Sequence, residues 1–439
     1  MLALTPLDCW SAQKIGLGPI RLNREALAAY QLQRFQETLR LVTASSGFYR
    51  DRLGLTAVRS VGSLSDIAAL PFTTAADLRQ SGQQMLCVSQ SSISRVVTLN
   101  TSGTSGEPKR IWFTEDDQDR TIDFFRAGMS TLVAPGDRVL VLLPCERPGS
   151  VGELLARALT SAGIVAISHG PVRSLAETLQ AIRSNKVNSL VGIPVQVLAL
   201  ARYSVQEGLR PIKMKSILLS TDHAADSLIR AVERIWQCQV FDHYGMTEMG
   251  LGGGVECTAH NGYHLREADL YFEIIDPDSG QMLPAGCEGE VVFSTLTRMG
   301  MPLIRYRTGD FSRFLPEQCA CGSVLKRLDR IGSRREAAIQ LPDGTVLPLS
   351  LLDEAIFSIP GVIDFSVLVE ETQQLMTVHV SLLTVGDKNN SVFAVRERIG
   401  SIGGVAASRL KIKVQATMCK GSLPPLSGKR IVGIVTGGQ

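Results

Sequence analysis

Pro135-Gly136-Asp137-Arg138-Val139-Leu140-Val141-Leu142-Leu143 is a tight turn running into an unbroken apolar stretch, and its reading decides the fold. A strand with one wet face alternates apolar and polar residues. Five consecutive apolar residues instead suit a strand covered on both faces, as in a parallel sheet. Working outward, similar short runs recur at 163–168, 189–191, 216–219 and 240–241. Helical patterns at 152–162, 175–184 and 224–237 separate them. This alternation predicts an α/β layer with a buried, largely parallel sheet.

Upstream, residues 27–43 place Leu32, Phe35, Leu39 and Val42 at helical spacing, and Thr74 is placed to cap a helix starting at Ala75. A β-branched run at 95–99 leads through a turn-rich segment to a second strand at 111–114, then to a helix over 116–132. Beyond about residue 265 the pattern changes to strands and tight turns, with Pro277-Asp278-Ser279-Gly280 and Pro284-Ala285-Gly286 flanking YFEII and EVVFS. That spacing predicts an antiparallel β subdomain. From residue 333 a smaller α+β unit begins, with strands at 365–369 and 377–383 and a helix at 391–399. The expected organisation is therefore a large domain over 1–332 and a small one over 333–439.

Composition limits the function classes. Of 439 residues, 45 are basic and 42 acidic, a net charge of +3 that gives no electrostatic basis for nucleic-acid binding. At 44% hydrophobic residues the chain has the means to bury a core, which excludes disorder as its main state. No apolar run approaches the ~20 residues of a membrane helix, so no membrane partner is expected. The first residues lack a basic segment and carry Asp8 early, a poor secretory signal. Nine scattered cysteines, an odd number, fit a reducing compartment, by default the cytoplasm.

Three short segments carry chemistry. Thr101-Ser102-Gly103-Thr104-Ser105-Gly106-Glu107-Pro108-Lys109 combines hydroxyls, glycines and a lysine. Glycine lets backbone N–H groups approach anionic oxygens, and Lys109 adds charge, so the loop suits a polyphosphate. Its spacing is not that of a Walker loop. Tyr244-Gly245-Met246-Thr247-Glu248 and Tyr306-Arg307-Thr308-Gly309-Asp310 each follow a strand-like run. Taken singly, each segment has a plainer reading. The loop could be a polar hairpin, Tyr244 a core aromatic, Glu248 an acid at a helix start, and Asp310 a turn residue.

Together and in this order, the three segments resemble the motifs of the adenylate-forming superfamily, and most of all those of the phenylacetate-CoA ligases. FYRDRL, LPFTTAADLR, PGDRV, EIIDPDSGQMLPAGCEGE and RLDRIGSRRE add to the likeness, which spans residues 30–340 well and the tail weakly. The resemblance implies a large adenylating domain followed by a small mobile C-terminal domain, and a two-step reaction. A carboxylate displaces pyrophosphate from ATP to give an acyl-adenylate, and the coenzyme A thiol then displaces AMP. It further implies that Thr101, Ser102, Gly103, Thr104, Ser105, Gly106 and Lys109 hold the β- and γ-phosphates. Thr247 would contact the α-phosphate, Glu248 would bring Mg²⁺, Tyr244 with Gly245 would lie against adenine, and Asp310 would accept the ribose hydroxyls. Asp222 stands where a segment lies along adenine, although the family's Gly-Ala-Glu-Pro is here Ser220-Thr221-Asp222-His223. Arg334 matches a ribose-contacting arginine at the domain boundary. Lys429, in Ser427-Gly428-Lys429-Arg430, matches the lysine that stabilises the adenylation transition state. A homodimer is also suggested by the likeness alone.

Two segments depart from the family pattern. The hinge position holds Glu336 instead of aspartate or lysine, and residues 341–348 keep the glycine and proline of the pantetheine loop but lose its arginine and asparagine. Two other readings therefore stand beside coenzyme A ligation: adenylation with a cofactor hydroxyl or carrier protein as acceptor, and a catalytically silent nucleotide-binding relative. The acid is not legible. Its pocket is expected from residues 143–152, 192–197 and 240–250.

Cys319-Ala320-Cys321 forms a C-x-C pair, and Cys257 precedes His260 and His264. One cysteine–histidine pair with one C-x-C pair offers the four ligands of tetrahedral Zn²⁺, and a filled shell suits a structural role. By resemblance to relatives with a structural zinc, the set is Cys257, His264, Cys319 and Cys321. Unliganded loop cysteines are the plainer reading.

Overall fold

The computed structural model describes residues 5–18, 22–54, 60–99, 108–334, 338–341, 346–371, 376–403, 410–424 and 432–436. By packing, the chain divides into two compact units. The first is Met1–Leu132, Arg157–Ala162 and His243–Arg330, and the second is Val133–Ala156, Gly163–Asp242 and Ile331–Gln439.

In the first unit, the helix Arg24–Ser45 starts at Asn23, whose side chain accepts from the Ala26 N–H, and it buries Leu27, Gln31, Phe35, Thr38, Leu39 and Val42. Gln31 replaces the expected Leu32 on the fully buried stripe because its amide donates to the Glu267 carbonyl at 2.9 Å. Thr74 caps Ala75–Ser81 as expected, in a reciprocal box with Asp77. Arg95–Leu99 and Lys109–Phe113 form an antiparallel hairpin with Leu99 opposite Lys109. Three antiparallel strands, Leu270–Ile275, Gly289–Thr295 and Tyr306–Ser312, make the β subdomain. A smaller antiparallel ladder joins His243–Tyr244 to Gly254–Glu256, then Tyr263–Leu265, then Arg327–Leu328.

The strand Tyr306–Ser312 is anchored at its head by Arg305. This guanidinium is almost fully buried and pairs with Glu273 at 2.9 Å, while Nη1 donates to the carbonyls of Ala68 and Leu70 at 2.7 and 2.6 Å. Removing one partner of such a pair costs roughly 3–5 kcal/mol, because a bare charge stays behind. The backbone of Arg305 also sits at φ +47°, a conformation that this bonding holds in place.

The second unit contains the parallel sheet that the opening run foretells. Its order is Val165–Ser168, Arg138–Val141, Ser189–Gly192, Ser216–Leu219, then residues 239–242. Residues 139–143 are 2% exposed or less, as a strand covered on both faces requires. The helices Leu175–Ser184 and Asp226–Trp236 lie where the periodicity predicts them. Pro194–Gln206 is an additional helix with nearly all of its first ten residues buried.

The same unit includes a mixed four-stranded sheet, ordered Leu410–Met418, Met376–Thr384, Val362–Glu371, Val432–Thr436. The helices Leu349–Phe357 and Lys388–Gly400 accompany it. Apolar side chains from both parts share one core, from Leu140 and Leu198 to Phe357 and Val380. Arg202 fastens them polarly: its buried guanidinium donates to the carbonyls of Val362 and, at 2.6 Å, Phe357. Glu354 accepts from the N–H groups of Asp226 and Ser227 at the start of Asp226–Trp236, where a carboxylate is favoured.

Candidate active site

Lys109 opens the second strand of the hairpin, where Ile111 and Phe113 point inward and fix its register. Its ammonium forms an ion pair with Glu248 and lies 3.3 Å from the Tyr306 hydroxyl. Glu248 is 2% exposed and sits in the short 3₁₀ turn Thr247–Met249. That turn closes through Gly250, which takes φ +75° and donates its N–H to the Thr247 carbonyl at 3.0 Å. Gly245 permits a close backbone approach before it. A Cβ there would stand 2.6 Å from the Leu251 carbonyl oxygen, so no other residue fits.

Tyr306 joins these groups. Its hydroxyl donates to Glu248 Oε1 at 3.2 Å. Burial first, and then the Glu248 carboxylate, push the phenol far above its ordinary range; it remains a proton donor at any physiological pH. Four residues along the same strand, Asp310 is 1% exposed and accepts from the Tyr244 hydroxyl at 3.1 Å. The Tyr244 ring is itself buried, 5.9 Å from that of Tyr263 at an interplanar angle of 30°. Five side chains expected or adjacent to expectation thus meet in one unit: Lys109, Glu248, Tyr306, Tyr244 and Asp310. Thr247 is half-buried at the start of the turn.

Two contacts escape sequence reasoning. Tyr306 belongs to a recognised motif, but nothing in the sequence gives its hydroxyl a role. Arg298 donates through Nη1 to the Glu248 carbonyl at 2.8 Å and lies 4.4 Å over the Phe113 ring. No local signal links a residue to a carbonyl 50 positions earlier.

Asp222 belongs to the second unit, half-buried, with Oδ1 accepting from the His223 N–H at 2.9 Å. Thr221 before it holds φ +80°, a strained conformation for a β-branched residue. Arg334 lies in the short strand Ser333–Arg334 of that unit. Thr101, Ser102, Gly103, Thr104, Ser105, Gly106, Glu336 and Lys429 lie outside the described residues.

The second cluster is Cys257, His264, Cys319 and Cys321, whose ligand atoms all lie within 4.8 Å of one another. Sγ of Cys257 is 3.6 Å from Sγ of Cys319, and Sγ of Cys321 is 3.3 Å from Nε2 of His264. Tetrahedral zinc with Zn–S bonds near 2.3 Å spaces its ligands about 3.7 Å apart, so the donor set fits that ion. Burial lowers the His264 pKa, favouring the neutral imidazole a metal needs. Burial pushes the Cys257 thiol up and that of Cys321 to about 12. Cys319 is raised by burial too, but the Cys321 N–H and its thiol neighbours bring it below the ordinary value. Asp8, fully buried in the helix Pro6–Lys14, holds the cysteine loop by accepting from Ser323 Oγ and the Val324 N–H at 3.0 and 3.1 Å.

Residues 54–300 match the sequence profile of the AMP-binding enzymes. The phenylacetate-coenzyme A ligase of Aromatoleum evansii is 30% identical over 337 residues, 73% of each chain. That of Thermus thermophilus is 26% identical over 442 residues, covering 94% of this chain and 96% of its own. A 2-hydroxyisobutyryl-CoA ligase structure, in the postadenylation state in complex with R3-HIB-AMP, superposes with a TM-score of 0.77 at 19% identity, over 94% of this chain and 89% of that one. No helix among the described residues is long and apolar enough to cross a membrane.

Proposed function

This chain belongs to the family of AMP-binding enzymes, and from that premise we propose that it is an AMP-forming ligase joining a carboxylic acid to coenzyme A. The observation that carries the reading is the meeting of Lys109, Glu248 and Tyr306 beside the Tyr244–Asp310 pair. In the first step the acid's carboxylate oxygen bonds to the α-phosphorus of ATP, and the bond to the bridging oxygen breaks with pyrophosphate leaving. Two anions must approach, so charge neutralisation and positioning dominate. Lys109, with the loop from Thr101 to Gly106, is assigned to the β- and γ-phosphates, and Thr247 to the α-phosphate. Tyr244, Gly245 and Asp222 are assigned to adenine, and Asp310 with Arg334 to the ribose. Lys429 is assigned to the charge that develops on the reacting carboxylate and α-phosphate. In the second step the thiolate sulfur of coenzyme A attacks the acyl carbon, and AMP departs with the bonding electrons.

A hard divalent cation prefers carboxylate oxygen, and Glu248 offers one; Mg²⁺ held there would supply charge neutralisation to the phosphates. Cys257, His264, Cys319 and Cys321 would hold zinc as a structural clip, with no position left for a reacting water. Residues 333–439 are assigned the role of a lid, whose movement would require opening the core they share with residues 133–242 and the bonds from Arg202. The described cysteines, all unbridged, support a reducing, cytoplasmic setting. A homodimer is the expected assembly, read by light scattering.

Carboxylate-dependent ATP–pyrophosphate exchange tests the first step, with phenylacetate heading a panel of aryl, alkyl and hydroxy acids because relatives are named for it. Exchange with one acid class, followed by coenzyme A-dependent AMP release, is expected. Exchange without any response to coenzyme A would assign a different acceptor. Nucleotide binding with no exchange across the panel would sink the enzymatic reading.

A further inference from the structure

Behind the turn that carries Glu248, the first unit contains a small cavity of ≈ 20 Å³. That is enough for one compact occupant. Arg120, Arg266, Arg298, Asp117, Asp269 and Thr121 contribute to its walls. Each carboxylate there already accepts three bonds. The Asp117 carboxylate takes the N–H groups of Thr114, Met299 and Gly300 at 3.1, 3.1 and 3.2 Å. Asp269 takes two bonds from Arg266 and one from the Thr297 hydroxyl.

Two donors are not committed. Arg298 is 7% exposed, yet its Nη2 is buried with no hydrogen-bond partner among the described residues, and the same holds for Arg120 Nε. Three guanidinium groups against two carboxylates leave the lining one positive charge in excess. A buried donor without an acceptor is costly, and a buried cation more so. Burial lowers the Arg298 pKa, against the Asp117 and Glu248 carboxylates that raise it, so the surrounding carboxylates do not fully offset its desolvation.

We propose that this cavity is a binding site for a small inorganic monovalent anion such as chloride, accepting from Arg298 and Arg120. Water is the competing occupant, but it leaves the excess charge uncompensated. Arg298 also donates to the Glu248 carbonyl and stacks on Phe113, in the strand that Lys109 opens. The anion therefore holds a guanidinium that braces both the turn and the strand. The inference is independent of which acid the enzyme uses.

The test uses the full chain at constant ionic strength, with chloride or bromide replacing gluconate. Crystals soaked in bromide should give an anomalous peak beside Arg298. Chloride should raise Tm saturably, by roughly 2–3 °C for millimolar binding. Arg120→Gln, at a half-buried position that tolerates change better, should abolish most of the shift, and Arg298→Met all of it. An empty anomalous map at Arg298, or a Tm shift unchanged in Arg120→Gln, would overturn the proposal and leave the cavity to water.

Discussion

The hydroxyl of Tyr244 donates to Asp310 Oδ2 at 3.1 Å, joining two motifs 66 residues apart in sequence. Both partners are buried, so the bond is made in a medium where a charged acceptor is expensive to leave short of donors. It fixes the orientation of a carboxylate assigned to the ribose hydroxyls. Tyr244→Phe keeps the ring packing against Tyr263 and removes only the donor. The expected result is a loss of about 1–3 kcal/mol in stability, with a rise in KM for ATP larger than any fall in kcat. Urea unfolding and initial-rate kinetics together check it; an unchanged KM would detach Asp310 from nucleotide binding.

Lys109, Glu248 and Tyr306 form one coupled group, so their substitutions should not add. Lys109→Met leaves Glu248 without its counter-ion, and Glu248→Gln does the converse. Each is expected to slow pyrophosphate exchange by about 10²–10³. The double variant should lose much less than the product, with a coupling of about 1–3 kcal/mol. Tyr306→Phe, which spares both charges, should cost less than either. Strict additivity in the cycle would show that the ion pair has no part in the reaction.

Much of the fold can be read from the chain, for physical reasons that also explain the gaps. Residues 139–143 announce a doubly covered strand because the apolar run is short, holds Val139 and Val141 and follows a Pro-Gly turn, and 175–184 announce a helix because one face is wet. Pro194–Gln206 gives no such signal. With Val195, Gln196, Val197, Leu198, Ala199 and Leu200 all buried, no polar face remains to mark a helical period. The strand Leu410–Met418 is a different case: its strict apolar–polar alternation is the signal of a strand with one wet face, legible in the chain although absent from the expectations above. At the site, glycine-bearing motifs identify Gly245 and Glu248 because their geometry is local. The Arg298 contact and the Tyr306 bridge arise from tertiary packing, which spacing does not encode.

The zinc assignment predicts a stoichiometry. Protein purified without added metal should carry about one zinc per chain by elemental analysis. Cys321→Ser, at the most exposed of the four ligands, should lower that content and reduce Tm by several degrees, since a metal bound only by the folded state stabilises it. Exchange activity should survive at low temperature if the ion is structural. Metal-free protein of unchanged Tm would return these cysteines to ordinary thiols.

His243 gives a pH dependence whose sign is fixed by its surroundings. Burial lowers its pKa from 6.5 to about 4 in the folded chain. Below pH 6.5 the unfolded chain therefore binds a proton that the folded chain does not. Linkage then requires stability to fall as pH drops from 6.5 towards 4, by at most about 1.4 kcal/mol per pH unit from this group. Above pH 6.5 both states hold a neutral ring and the contribution is constant. His243→Gln cannot take up the proton, so subtracting its urea-derived stability from that of the parent at each pH isolates the term. The difference should be flat above pH 6.5 and decline below it. A flat difference down to pH 4 would mean that the ring titrates in the folded protein as it does in water, and that the pocket beside Phe125 admits its charge.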